Sequence, residues 1–193
     1  QNIFLVHQIH SNKFIFIDKV YDNKEKPKVD AIITNKKNFP IGVLTADCAP
    51  ILIYDEKEKM IAAIHAGWKG AFKGIINRTL NFMIKKGCTP KNITAVIGPC
   101  ISVKSYEVKK DFIKKLIKKD GKNKKFFKKI QNKDFFDLKK YVLSQLKALN
   151  IKKIDIINKN TFNPKNNFFS ARRSISRNEN DYGRNISVIM INS

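Results

Sequence analysis

Between residues 3 and 66 the chain is a succession of short apolar runs, each stopped by a polar or proline-containing turn, and that spacing restricts it to a sheet-based fold. The runs lie at 3–9, 14–18 ("FIFID"), 30–34 ("DAIIT"), 41–47 ("IGVLTAD"), 51–55 ("ILIYD") and 60–66 ("MIAAIHA"). Each has a strand's length and is rich in the β-branched and aromatic residues that pack well on a pleated surface. Pro50 predicts a bend between the fourth and fifth runs, since proline cannot donate to a ladder. "DNKEKPK" at 22–28 reads as a polar loop. From Gly70 the period changes. Ala71, Ile75, Leu80, Phe82 and Met83 share one helical face, and Gly87 suits the position just past a helix C-terminus. Further strands are predicted at 93–99, 152–158 and 186–192. Amphipathic helices are predicted at 109–119 and 137–149, the second opened by Asp137 as N-cap. Helices among strands, with no repeat or linker, predict an α+β fold: a mixed β-sheet core with flanking helices in a single domain spanning 1–193.

The charge needs a separate account. Lys and Arg number 39 against 16 Asp and Glu, a net charge of +23. The surplus is nearly all Lys and accompanies abundant Asn and Ile, which reads as compositional bias; nucleic-acid recognition draws heavily on Arg. The densest basic run, "KKDGKNKKFFKKIQNK" at 118–133, reads as a solvated, partly mobile loop. A basic module for RNA or another polyanion stays as a rival function. No apolar run approaches the roughly 18 residues a membrane span needs. Cys48, Cys88 and Cys100 form no paired spacing, which indicates a reducing compartment. The opening "QNIFLVHQIH" lacks the basic start and cleavage site of a signal peptide, so a cytoplasmic address is expected.

His10, Cys48 and His65 each sit at the end of an apolar run, where strand ends of one sheet can converge. Two imidazoles and a thiolate are a donor set for a catalytic zinc with one open position, and they also suit copper. Cys48 and His65 are 17 residues apart, which matches no zinc-finger spacing. Taken singly, a buried small thiol and a hydrogen-bonded core histidine are equally good readings. His7, three residues before His10, points to the other face of an extended strand and is excluded from the metal set. Asp47 is either a general base or a carboxylate that orients an imidazole. Gly67 and Gly70 allow a tight turn after His65, and Trp68 either packs beneath it or stacks on a base. Cys88 and Cys100 are read as structural.

Six segments appear in order: "QIH" (8–10), "DAIITN" (30–35), "GVLTADCAPILIYD" (42–55), "AAIHAGWKG" (62–70), "IGPCISVKSYEV" (97–108) and "FFSARR" with a later "GR" (168–184). Together they resemble the laccase-domain family, also called the multicopper polyphenol oxidoreductase or YfiH-type family, whose members act as purine nucleoside phosphorylases. The resemblance implies His10, Cys48 and His65 as metal ligands for zinc, with copper as the alternative. It implies phosphorolysis of adenosine, inosine, guanosine and methylthioadenosine, and deamination of adenosine. Substrate and phosphate are then expected near Asp47, Arg172, Arg173, Arg184 and Lys69. Ser11, Tyr106 and Glu107 either contact substrate or lock the surrounding loops. Rival activities within the family are phenol oxidation by copper and the editing of peptidoglycan precursors; a thiol hydrolase with Cys48 as nucleophile and His65 as base is a further reading. Partners are a nucleoside and phosphate, with no membrane or nucleic acid, in a monomer or small homo-oligomer. Members usually carry further strands ahead of the Gln-x-His motif, so N-terminal strands are expected to be missing here.

Overall fold

The computed structural model describes residues 2–18 and 26–193. Its first elements are strands β1 (Phe14–Ile17), β2 (Ala31–Thr34), β3 (Ile41–Thr45), β4 (Ala49–Asp55) and β5 (Met60–Ala66). Helices α1 (Trp68–Lys73) and α2 (Ile75–Lys85), strand β6 (Ile93–Ile97) and helix α3 (Lys110–Lys119) follow. The chain then forms β7 (Phe127–Ile130), β8 (Lys133–Phe136), α4 (Leu138–Ala148), β9 (Lys153–Ile156), α5 (Ala171–Ser176) and β10 (Asn185–Ile189).

Six strands form one mixed sheet in the order β1-β2-β5-β4-β6-β9. The central pairs are antiparallel, and the outer pairs β1–β2 and β6–β9 are parallel. The alternation of side chains divides the strands between two cores. Ala31, Ile33, Ile51, Ile53, Ala62 and Ile64 pack with Ile75, Leu80 and Met83 of α2 and Val142 of α4. Ile32, Ile61 and Ala63 pack with Ile41 and Val43 of β3 and with Phe4 and Val6. β5 is covered on both sides, which is why "MIAAIHA" is apolar and buried almost throughout. The result is an α+β fold in layers: helices, mixed sheet, and a smaller antiparallel sheet of β3 and β10.

Four expectations are corrected. The run at 3–9 is no continuous strand; it pairs at two isolated points, Phe4 with Ile41 and His7 with Lys28. Pro50 marks no bend, because it lies inside β4, at the strand's second position, opposite His65. The true break is at residues 46–48, where the chain leaves the small sheet for the large one. The helix begun near Gly70 is two helices, since Gly74 takes the left-handed conformation (φ 89°) and caps both. The basic run at 118–133 contains an ordered hairpin, β7–β8. Its turn residues Gln131 and Asn132 both have positive φ, as a type I′ turn requires. Phe126 and Phe136 anchor the hairpin, edge-on and tilted against Tyr141 at 5.2 and 5.5 Å. Asp137 caps α4 as expected, accepting from the Lys140 amide, and Gly87 (φ 104°) lies just past α2. Of the loop expected at 22–28, residues 22–25 lie outside the described residues.

Candidate metal centre

His65 is the sixth residue of β5, and the register that sets Ala31 against Ile64 places Asp30 beside it. The Asp30 backbone carbonyl accepts from the His65 amide, and its carboxylate accepts from His65 Nδ1 at 2.8 Å. The remaining ring nitrogen, Nε2, is thereby left to face the centre. The same carboxylate gathers the His10 loop, accepting from the amides of His10 (2.9 Å) and Ser11 (2.6 Å) and from Ser11 Oγ (2.6 Å). His10 has φ 56°, a left-handed conformation that His adopts more readily than bulkier or β-branched residues. Just upstream, the Gln8 amide closes both hydrogen bonds of Leu44, giving Nε2 to its carbonyl (2.7 Å) and accepting its N–H at Oε1 (2.8 Å). A side chain thus does the work of a peptide unit and fastens this segment to β3. Cys48, at the end of the crossing between sheets, completes the cluster, its Sγ 3.7 Å from His10 Nε2.

The three donor atoms lie within 4.8 Å of one another. Tetrahedral zinc with bonds of about 2.0–2.3 Å holds its ligands roughly 3.5 Å apart, so the geometry fits with little movement. Gly67 makes the space: a Cβ there would stand 2.7 Å from Cys48 Sγ and 2.9 Å from His10 Cδ2. His10, Cys48 and His65 together can hold a metal ion.

The electrostatics follow from the contacts. Burial works against the Asp30 charge, but His65 and the Ser11 donors outweigh it and hold the carboxyl at about 2. Burial likewise opposes the His65 cation, yet Asp30 and the Cys48 sulfur raise the imidazole to about 9. The Cys48 thiol, raised by burial and lowered more strongly by the two imidazoles, comes down to about 7. Cys88 and Cys100, buried away from any such partner, are pushed up to about 12, chiefly by burial.

The other sequence-selected residues separate. Asp47, beside a ligand, orients no imidazole. Its carboxylate accepts from Thr161 Oγ1 (2.6 Å), Ser170 Oγ (2.9 Å) and the Arg172 amide (2.7 Å), so it ties the 161–172 segment to the crossing. Arg173 is spent on carbonyls of Thr161, Phe162 and Phe168 and lies within that segment's frame. Arg172 sits over the Tyr106 ring at 5.3 Å and donates to the Glu107 carbonyl. Glu107 itself is exposed and pairs with Lys133. A cleft of about 290 Å³ beside the cluster is walled by Trp68, Lys69, Ile101, Tyr106, Arg172 and Tyr182, among others. Trp68 both packs edge-on against Phe112 at 4.7 Å and lines this cleft. Tyr106 is held neutral by burial. A second cleft, of about 360 Å³, shares His10, Ala46, Cys48 and Tyr182 with the first and includes His7, Lys26, His65 and Arg184. Asp30 is absent from the sequence-derived set. Its signal is a carboxylate at the head of the apolar run "DAIIT", which only a buried partner explains. Among the described residues no helix is long and apolar enough to cross a membrane.

Comparisons with known proteins bear on the family and the fold. A purine nucleoside phosphorylase of Rickettsia prowazekii (strain Madrid E) is 38% identical over 176 residues, which are 90% of this chain and 72% of that protein. That of Haemophilus influenzae is 35% identical over 190 residues, 97% of this chain and 73% of that protein. The crystal structure of Neisseria meningitidis protein NMB0706 matches with a TM-score of 0.84 at 26% identity, covering 99% of this chain and 75% of that one. Bacillus licheniformis hypothetical protein YfiH matches at 0.83 and 25% identity, over 98% and 74%. A family model described as multi-copper polyphenol oxidoreductase laccase matches residues 1–192, and the chain belongs to that family.

Proposed function

We propose that the chain is a zinc-dependent purine nucleoside phosphorylase acting on adenosine, inosine, guanosine and methylthioadenosine, with adenosine deamination as a second activity. The observation that carries this reading is the open three-donor cluster bordering an aromatic-walled cleft. The relatives named purine nucleoside phosphorylase support it. Zinc in such a set supplies Lewis acidity. The chain's own groups do the rest. Asp30 fixes the His65 ring, Trp68 and Tyr106 offer faces to a purine, and Arg172 and Lys69 line the same cleft, where they would donate to the purine as negative charge develops on it. In phosphorolysis a phosphate oxygen bonds to the anomeric carbon as the C–N bond breaks. The electron pair leaves with the purine, which takes up the proton of hydrogen phosphate.

A second reading, the thiol hydrolase expected with His65 as base, rests on the Cys48 thiol at about 7 and on His10 Nε2, which stands 3.7 Å from the sulfur and takes the place of that base. Coordination would occupy the sulfur, so the two readings exclude each other at a loaded site. Elemental analysis of the purified protein and of Cys48→Ala separates them, followed by an assay of hypoxanthine release from inosine with and without phosphate. About one zinc per chain, lost in Cys48→Ala, with phosphate-dependent release, is expected; copper in its place favours the oxidase. A metal-free, folded protein that releases no base overturns the phosphorylase reading.

A further inference from the structure

The two clefts that meet at His10 and Cys48 are lined by different chemistry. The first has Trp68, Tyr106, Ile101 and Leu138 on its walls and sets the carboxylate of Asp47 among its cations, Lys69 and Arg172. The second carries two cations, Lys26 and Arg184, with His7 and His65 beside them, and no carboxylate among the described residues of its lining. We propose that this second cleft is an oxyanion subsite that binds inorganic phosphate through Lys26 and Arg184, with His7 as a further hydrogen-bonding group. The inference rests on the phosphorylase reading for its role in turnover.

Three segments build the subsite, and each is fastened by named bonds. The His7 amide donates to the Pro27 carbonyl, and the Val29 amide donates back to the His7 carbonyl, which sets residues 26–29 alongside His7. The Gln8 clamp on Leu44 fixes that pair against the end of β3. Arg184 precedes the ladder that begins with Asn185 opposite Thr45, and Asn185 Nδ2 donates to the Thr45 carbonyl. The Arg184 guanidinium lies 4.0 Å over the Tyr182 ring, and Tyr182 lines both clefts. Its acidic neighbour, Asp181, is 3.9 Å away and 93% exposed, a pairing that water weakens. The Asp30 oxygens nearby are already committed to His65, His10 and Ser11. Among the described residues, an incoming dianion therefore meets cations without a buried competitor.

Reaction geometry favours the same division. The phosphate oxygen must approach the anomeric carbon on the face opposite the departing purine, so base and phosphate need separate positions on either side of the sugar. Two clefts joined at one centre meet that requirement, with the base among the aromatic walls and phosphate among the cations. All three arginines of the last motif donate to carbonyls, Arg173 through both Nη atoms and Arg184 through Nη1 to Tyr182; Arg172 lines the aromatic cleft, and Arg184 alone lines the basic one.

The test uses the purified protein and its Lys26→Gln, Arg184→Gln and Arg172→Gln variants, each checked for an unchanged thermal melt. With inosine as the nucleoside, Lys26→Gln and Arg184→Gln should each raise the KM for phosphate by about ten-fold, the factor of one lost charge-assisted hydrogen bond, and leave the inosine KM within about two-fold. Arg172→Gln should do the reverse. Inorganic phosphate titrated against the same proteins and followed by 31P line broadening reads the subsite without turnover. If no nucleoside is phosphorolysed but phosphate binds and the Lys26 and Arg184 variants weaken it, the phosphorylase reading fails and the subsite stands. Phosphate binding that survives both substitutions, or that Arg172→Gln alone removes, overturns the subsite.

Discussion

Asp30 and Asp47 are both buried carboxylates close to the candidate metal ligands, Asp47 beside Cys48 in sequence and Asp30 across the sheet from His65, yet they hold different things. Asp30 is shared between an imidazole and the loop that carries His10. Asp47 accepts only from groups of the 161–172 segment, none of which belongs to the donor set. Its φ of 83° turns the chain so that its side chain leaves Cys48 and reaches that segment. Adjacency in sequence to a ligand therefore says little about chemical role. The partner that a carboxylate finds across the sheet says more.

The largest effect expected from breaking this pair of roles is at Asp47. Asp47→Ala should lower stability by roughly 3–5 kcal/mol, since two hydroxyls and an amide lose a buried charged acceptor at once. Urea unfolding of the metal-free protein measures it, and a loss under about 1 kcal/mol would show that the 161–172 segment is held by other means. Asp30→Asn should act first on the centre, lowering metal affinity by about 10–100-fold in a chelator competition. Equal loss of affinity in Asp47→Asn would erase the distinction between the two residues.

A pH series sharpens it further. In metal-free protein the Asp30 carboxyl sits at about 2 against an ordinary 3.8, so its stabilisation is complete above pH 3.8 and is lost as the pH falls toward 2. The His65 imidazole sits at about 9 against 6.5, so its share is complete below pH 6.5 and is lost as the pH rises through 9. Stability from this pair should therefore peak between pH 3.8 and 6.5, with an acid flank of roughly 2 kcal/mol and an alkaline flank of roughly 3 kcal/mol that the Cys48 thiol, at about 7 against 9, offsets in part. Asp30→Asn should flatten the alkaline flank, and Asp47→Asn should leave it standing; thermal melts across the range decide. The smallest effect is expected at Glu107, whose exposed contact with Lys133 predicts a change below about 0.5 kcal/mol in Glu107→Gln.

Much of the fold was legible because its central strands are covered on both faces and so read as unbroken apolar runs. The hairpin β7–β8 was not, because its outward lysines dominate the composition while a few inward rings, Phe126 and Phe136, supply the anchoring. That Pro50 lies within a strand was hidden as well, since only the register shows that its missing donor falls at the end of the ladder with β6. At the site, spacing alone left Cys48 and His65 open to a structural reading, and the Gln-x-His, Ala-Asp-Cys and His-Ala-Gly-Trp resemblance supplied the grouping. Asp30 and the Gln8 clamp needed the register between strands, which no local pattern contains.

The Gln8 clamp has a mechanical consequence. By taking both hydrogen bonds of Leu44 with a side chain, Gln8 pins the segment to β3, and pairing further upstream is confined to the isolated bridges of His7 and Phe4. Slippage, insertion or deletion on the upstream side of Gln8 is then absorbed before it reaches His10. A single residue added or removed between Gln8 and His10 has no such buffer and displaces a donor outright. The two-residue step from pin to donor works as a fixed ruler at the edge of an otherwise tolerant segment.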